Sequence, residues 1–348
     1  MPYPVVAGPY LADLLAQPEA LLAVRTVLER TTLDAAVPNR LRDGTFRRVI
    51  LTGMGSSLHA LYPLHLVLCA RGIASIHVET SELLIGYEAL RACDTLLVAV
   101  SQSGESAEMR SLLKSGAAFG HIIGVTNNPT SALGRAANTV LLLAAGIERT
   151  VSCKTYLNTL VVLHWLGSIL TASDTTAALA EVSETVPQIS SYLAKWEVHV
   201  SDLSQTVKGV RSLFVTGRGR SLATAWTGGL ILKEATRRHA EGMSCAAFRH
   251  GPLEMIGHDV LVLVLAGDAR TEALHRQLVS DIANGGGRAE LIATAGTSSE
   301  VFQLPTVAAA MLPLVELLPL QMISLALAAR DGREAGRFER ATKITTTA

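Results

Sequence analysis

The chain has 348 residues, 49% of them hydrophobic, a mean hydropathy of +0.34, and 30 basic against 30 acidic side chains. That is enough chain for two domains with real cores, and the balanced charge argues against a general nucleic-acid binder. The four cysteines, Cys69, Cys93, Cys153 and Cys245, have neither metal nor redox spacing and read as reduced, mostly buried thiols of a cytoplasmic protein.

The N-terminus, Met1-Pro2-Tyr3-Pro4, lacks the basic region of a signal peptide. A single short helical pattern follows, carried by Leu11, Leu14, Leu15, Leu21, Leu22 and Val24. Val49–Thr52 then reads as a strand end, closed by Gly53-Met54-Gly55-Ser56-Ser57 and a helix with Leu58, Leu61, Leu64, His65 and Leu68 near helical spacing. The turn is not a dinucleotide fingerprint, because Leu58 breaks the pattern and no acidic residue ends a second strand on cue.

The most informative stretch comes next. Thr95–Val100 is a continuous apolar run, the mark of a buried parallel strand, and it stops in Ser101-Gln102-Ser103-Gly104-Glu105-Ser106 before a helix with Met109, Leu112 and Leu113. Strand, polar turn and helix start form an anion seat, since the first helical N–H groups are unpaired and lie at the positive end of the helix dipole. One hydroxyl suffices for a helix cap, and here there are three. Two such turns point to one shared phosphate pocket. His121–Thr126 supplies a further strand.

The first half then recurs. Val49–Ser57 reappears at an offset of 164 residues as Leu213-Phe214-Val215-Thr216-Gly217-Arg218-Gly219-Arg220-Ser221, and Leu96–Val100 as Val260–Val264. Glu290–Thr294 matches the strand after it. Alternating strands and helices imply crossover units, so the expected architecture is α/β, two tandem doubly wound parallel-sheet domains, flavodoxin-like three-layer sandwiches. The boundary falls within Thr171–Thr176 or in the helical connection after it. The second half has Leu265-Ala266-Gly267-Asp268 in place of the hydroxyl cluster; it presents a carboxylate there, so the phosphate pocket is expected in the first half only.

Gly228–Arg238 is a helix pattern holding Lys233 and Glu234; Glu241–Phe248 reads as a loop of small residues ending in Arg249-His250-Gly251-Pro252. The Gly-Pro bond fixes His250 in a turn, and an imidazole so placed can exchange protons. Val307–Ala329 is apolar enough to raise a membrane question, but Glu316, Gln321, Pro313 and Pro319 make it a buried helix. The tail from Arg333 is polar and expected to fray, leaving Lys343 unremarkable on the residues alone.

Together these pieces resemble the double-SIS (sugar isomerase) family, whose best-known member is the isomerase half of glucosamine-6-phosphate synthase and which includes stand-alone deaminases. The resemblance covers about residues 45–345 and rests on Gly55-Ser56-Ser57, Ser101–Ser106, Leu232-Lys233-Glu234, His250-Gly251-Pro252 and Lys343. It implies a first domain at 45–172 that binds phosphate, a second at 173–330, an N-terminal helical segment at 1–44, and a tail at 331–348 that closes over the active site. It implies that Ser56, Ser57, Ser101, Gln102, Ser103 and Ser106 grip a sugar 6-phosphate, with Gly55, Ser152 and Lys154 along the sugar. By the same resemblance Glu234 moves a proton between C1 and C2, His250 opens the ring from across a homodimer interface, and Lys343 sits near C1/C2. Neither metal nor organic cofactor is implied, nor a nucleic-acid or membrane partner.

The chain departs from the family's synthase in three ways. Residues 1–44 do not hold a glutaminase domain with a nucleophilic cysteine, so glutamine-dependent synthesis is not expected of this chain. The run Glu148-Arg149-Thr150-Val151-Ser152-Cys153-Lys154 has one residue fewer between Glu and Lys. Ala247 stands where the synthase has a glutamate before the histidine. The readings that follow are a deaminase turning glucosamine 6-phosphate into fructose 6-phosphate and ammonia, a deglycase of a 6-phosphorylated Amadori adduct, and a non-catalytic sugar-phosphate sensor.

Overall fold

The computed structural model describes residues 4–340 and 342–343. Its described residues fall into two compact units. One holds Glu19–Glu148, Cys153–Ser183 and the segment beginning at Glu339; the other holds the segment ending at Pro18, Arg149–Ser152 and Glu184–Phe338. The N-terminal pattern resolves into three helices, Pro9–Leu15, Gln17–Glu29 and Ala36–Arg42, shared between the two units rather than forming one segment.

In the first unit, β1 (Arg48–Gly53), β2 (Ser75–Glu79), β3 (Thr95–Val100), β4 (His121–Thr126) and β5 (Thr139–Leu142) form a parallel sheet in the order β2-β1-β3-β4-β5. The strands alternate their side chains between faces, yet Val49, Ile50, Leu51, Leu96, Leu97 and Val98 are all fully buried, so both faces are covered. Ile50, Leu97 and Ala99 pack with Met109, Leu112 and Leu133 on one face.

The second unit repeats the plan with β6 (Ser212–Gly217), β7 (His239–Ser244), β8 (Val260–Leu265) and β9 (Arg288–Ile292), all parallel, in the order β7-β6-β8-β9. Phe214, Val262 and Val264 pack with Phe248, Leu278 and Ile282 on one face. On the other lie the helices Ser221–Thr236 and Leu312–Arg330; a Cβ on Gly228 would stand 2.3 Å from Leu320 and 3.6 Å from Val215.

Two expectations change and one is met. The small-residue stretch read as a loop is β7 followed by the short helix Cys245–Arg249. Its residues are small because a helix lies against the strand: a Cβ on Gly242 would stand 2.1 Å from the Ala225 carbonyl oxygen. The apolar helix Leu312–Arg330 is buried, as expected for a core helix. Of the cysteines, Cys153 and Cys245 are buried but Cys69 and Cys93 are exposed.

Glu316 lies in the middle of that packing, fully buried, accepting a hydrogen bond from Ser221 Oγ at 2.7 Å. Burial pushes its carboxyl up to about 7. The folded chain therefore holds a proton that the unfolded chain releases near pH 4.5. Stability associated with this group is full below that value and declines as pH rises to about 7. Glu316→Gln, which stays neutral, should match the parent near pH 4.5 and exceed it by roughly 3 kcal/mol at pH 8, read from urea unfolding at both pH values.

Candidate active site

The first seat forms where the sheet reverses its winding. β1 connects to β2 on one side while β3 connects to β4 on the other, so the turns after β1 and β3 part at neighbouring strand ends, Thr52 opposite Ala99. Ligands of doubly wound sheets bind in that crevice. The strand ends are close: a Cβ on Gly53 would stand 2.9 Å from the Val100 carbonyl oxygen and 3.0 Å from Leu58 N. Gly55 has φ +52° and turns the chain into the helix Ser56–Ala70, with Ser56 and Ser57 half-buried in its first turn.

In the second turn every serine accepts a backbone N–H. Gly104 N donates to Ser101 Oγ (3.1 Å), Glu105 N to Ser103 Oγ (3.2 Å) and Met109 N to Ser106 Oγ (3.4 Å). Each hydroxyl thus keeps its own hydrogen to donate, and among the described residues none of the three donates it. No described residue accepts from Gln102 N, Ser103 N or the Gln102 side-chain amide. Gly104 has φ +66°, and a Cβ there would meet Ser131 Oγ at 2.0 Å. Glu105 is turned to other work, accepting from Ala132 N at 2.7 Å. The seat thus gathers Ser56, Ser57, Ser101, Gln102, Ser103 and Ser106 around the ends of two strands and offers neutral donors suited to an anion.

The same unit contains a buried ion pair that the sequence did not reveal. Glu148 is buried, its side chain fully. Its Oε1 accepts from Cys153 N (2.9 Å) and Thr155 N (3.1 Å), and its Oε2 from Thr155 Oγ1 (2.6 Å) and Lys343 Nζ (2.7 Å). Far from fraying, the tail places Lys343 with 19% of its side chain exposed. Ala341 and residues 344–348 of the expected lid lie outside the described residues. Lys154 begins the helix Lys154–Leu170 and donates to the Ile147 carbonyl at 2.9 Å.

Glu234, His250 and Ser152 belong to the other unit. Glu234 is half-buried, near the end of the helix Ser221–Thr236, which stops at Arg237 in a left-handed conformation. His250 is exposed and caps the helix Cys245–Arg249; Gly251, at φ +136°, provides a turn only glycine takes easily. The tail passes beside Glu234's helix, with Gly336 N donating to the Ala235 carbonyl at 3.3 Å.

The model of the SIS domain matches this chain twice, over residues 46–169 and 207–330, the two sheets just described. The chain belongs to the SIS domain family. Among its relatives is a glutamine–fructose-6-phosphate aminotransferase (isomerizing) of Pyrococcus horikoshii, 30% identical over 314 residues, 86% of this chain and 52% of that protein. One of Thermococcus kodakarensis is 30% identical over 317 residues, with the same coverage. The chain spans about half the length of these curated relatives. Among solved structures, the C-terminal domain of glucosamine-fructose-6-phosphate aminotransferase from Francisella tularensis superposes with a TM-score of 0.78 at 19% identity, covering 95% of this chain and 98% of that one. Glucosamine-6-phosphate deaminase from Thermotoga maritima gives 0.75 at 14%, covering 98% and 100%. Both share the fold of this SIS protein.

The Glu148–Lys343 pair yields a stability test. Lys343→Met leaves a buried carboxylate short of one charged donor and should lower unfolding free energy by about 1.5–3 kcal/mol. If the two groups act on each other, Glu148→Gln combined with Lys343→Met should cost less than the sum of the single changes, as measured by a double-mutant cycle in urea.

Proposed function

We propose that this SIS protein is an aminosugar-6-phosphate isomerase/deaminase that converts glucosamine 6-phosphate to fructose 6-phosphate and ammonia. The hydroxyl-lined seat at the β1/β3 switch point supports this reading most directly. It presents several uncommitted donors where a doubly wound sheet binds ligands, and no cationic side chain is among them. In this reading 45–172 is the phosphate-binding half and 173–330 carries the acid–base groups. The names of the relatives, aminotransferases and a deaminase of glucosamine or fructose 6-phosphate, support the same substrate class.

The phosphate rests on Ser56, Ser57, Ser101, Gln102, Ser103 and Ser106, and its binding energy positions carbons far from it. Gly55, Ser152 and Lys154 line the sugar. His250 moves the proton needed to open the ring. Glu234 takes the C2 proton from the open aldehyde and returns it to C1; the C1 oxygen gains a proton and stays as a hydroxyl, the C2 amine loses one, and the double bond passes from C1=O to C2=N, an imine. Water adds to the imine, the C–N bond breaks and ammonia leaves with the ketose. Lys343, held by Glu148, polarises the oxygens at C1 and C2.

The deciding assay follows ammonia and fructose 6-phosphate released from glucosamine 6-phosphate. Ser101→Ala with Ser103→Ala should raise KM roughly ten- to hundredfold, as for a lost charge-assisted hydrogen bond of about 1.5–3 kcal/mol. Glu234→Gln should lower kcat by about 10²-fold or more with little change in KM, and should stop exchange of the C2 proton with deuterated water. Full turnover by Glu234→Gln would overturn the role assigned to Glu234, whereas no turnover by the parent protein would overturn the enzyme reading and favour a sugar-phosphate sensor.

We also propose a homodimer in which His250 serves the partner's site, an arrangement that the exposure of His250 permits. Mixed Glu234→Gln and His250→Ala subunits should then recover activity that neither variant has alone. No recovery after verified subunit exchange would place both groups in one subunit's site.

A further inference from the structure

The second sheet has its own switch point, with different groups around it. β7 and β8 flank β6 on opposite sides, so the turn Arg218–Ser221 after β6 and the turn Ala266–Thr271 after β8 part as their counterparts do in the first half. The carboxylate read from the sequence is not free there. Asp268 is held by Arg270, Nη2 at 2.7 Å and Nε at 3.3 Å, and these hydrogen bonds keep its carboxyl below the usual range. Glu272 is held by Arg276 Nη2 at 2.6 Å. Arg220 donates to the Ala309 carbonyl at 3.1 Å, and the Ser221 hydroxyl is spent on Glu316.

Among the described residues, the buried polar atoms without a partner here include Arg218 Nε and His275 Nε2, besides Thr216 Oγ1 and Glu316 Oε2. Arg218 is half-buried, no described residue accepts a hydrogen bond from its guanidinium, and its Nε is shut off from solvent. His275 is fully buried; its Nδ1 meets the Ala266 carbonyl oxygen at 2.6 Å and its Nε2 has no partner. His275 lies beside the turn after β8, and Arg218, in the turn after β6, is near enough for its charge to reach the ring. His275 Cε1 and Ser221 Oγ are each 3.5 Å from where a Cβ on Gly267 would lie, and Thr271 Oγ1 is 3.2 Å from it. Burial holds the His275 ring below its ordinary value; the charge of Arg218 lowers it further, and those of Asp268 and Glu272 raise it, so it is a bound anion that would have to draw the proton on. The 16-residue helix Ser221–Thr236 starts here, adding the positive end of its dipole. A buried polar atom without a partner is costly, so an orphaned guanidinium and an orphaned imidazole at one helix start call for a group that satisfies both.

We propose that this second switch point binds a compact oxyanion of the phosphate class. Arg218 supplies the charge and its forked donors, Thr271 supplies a hydroxyl, and His275 Nε2 takes up a proton to donate to the anion. Nδ1 already faces a carbonyl and donates to it, so neutral His275 offers only a lone pair at Nε2. Binding therefore strengthens as pH falls. The acids acting on the ring, Asp268 and Glu272, are each tied to an arginine; Glu316, bonded to Ser221, is neutral below about pH 7 and so favours an anion in the same direction. This site does not depend on what the first seat takes.

The test uses the full chain with Ser101→Ala and Ser103→Ala, which weakens the first seat, titrated calorimetrically with sulfate, whose charge is constant from pH 6 to 8. One sulfate should bind per chain, more tightly at pH 6 than at pH 8. Arg218→Met should weaken it at least tenfold, and Arg218→Lys less. Arg218 is not part of either core, so these variants test the site without the refolding risk of changing buried His275; circular dichroism checks that each is folded. A parallel titration with glucose 6-phosphate separates a free oxyanion from a phosphate ester: a tenfold loss with Arg218→Met for either ligand supports the site, and the tighter one names the source. Sulfate and ester affinities both unchanged in folded Arg218→Met, or no binding of either before that change, would overturn the proposal.

Discussion

The first seat depends on a constraint of parallel sheets. β1 and β3 are hydrogen-bonded neighbours, but their connections leave in opposite directions, so pairing stops at the strand ends and the chain opens into two turns. Gly53 can stand at that edge because it has no side chain to push against the Val100 carbonyl oxygen. Gly104 does the same for the second turn, where Ser131 occupies the space a Cβ would need. These backbone demands bring the serines together; the hydroxyls of Ser101, Ser103 and Ser106 each accept a backbone N–H and keep their own hydrogen to donate.

Glu148 imposes the second constraint. A carboxylate removed from water must be met by donors on both oxygens, or its burial is strongly unfavourable. The start of the helix Lys154–Leu170 provides N–H groups and a hydroxyl, and the tail provides an ammonium. A charged tail residue that would otherwise lie in solvent is thereby given one position. The ordering of Lys343 and the solvation of Glu148 are two sides of the same interaction.

The two halves show how far a fold and its chemistry can separate. Both sheets have the same winding around a central pair of strands, maintained by apolar runs buried on both faces. A few turn residues differ, and with them the kind of donor. The first half offers hydroxyls and amides, the second a guanidinium and an imidazole. Topology supplies a crevice in each; the residues at its rim decide what it can hold.

Much of this was legible in the sequence. β3 runs from Thr95 to Val100 as its apolar run implied, because a strand buried on both faces needs no alternation and is bounded by turn residues. The recurrence of Thr-Gly-x-Gly after β1 and β6 marked the duplicated turns for the same local reason: the backbone there requires glycine. β7 was not legible, since its small residues look like a loop until the helix crossing Gly242 is known. Nor was the pairing of Lys343 with Glu148, 195 positions apart, or the lack of a partner for Arg218 Nε among the described residues. Local patterns determined where strands end and which turns carry polar donors, because those depend on periodicity and backbone conformation. Which charges are paired and which are left over was decided only by the tertiary structure, because burial and partners come from residues far apart in the chain.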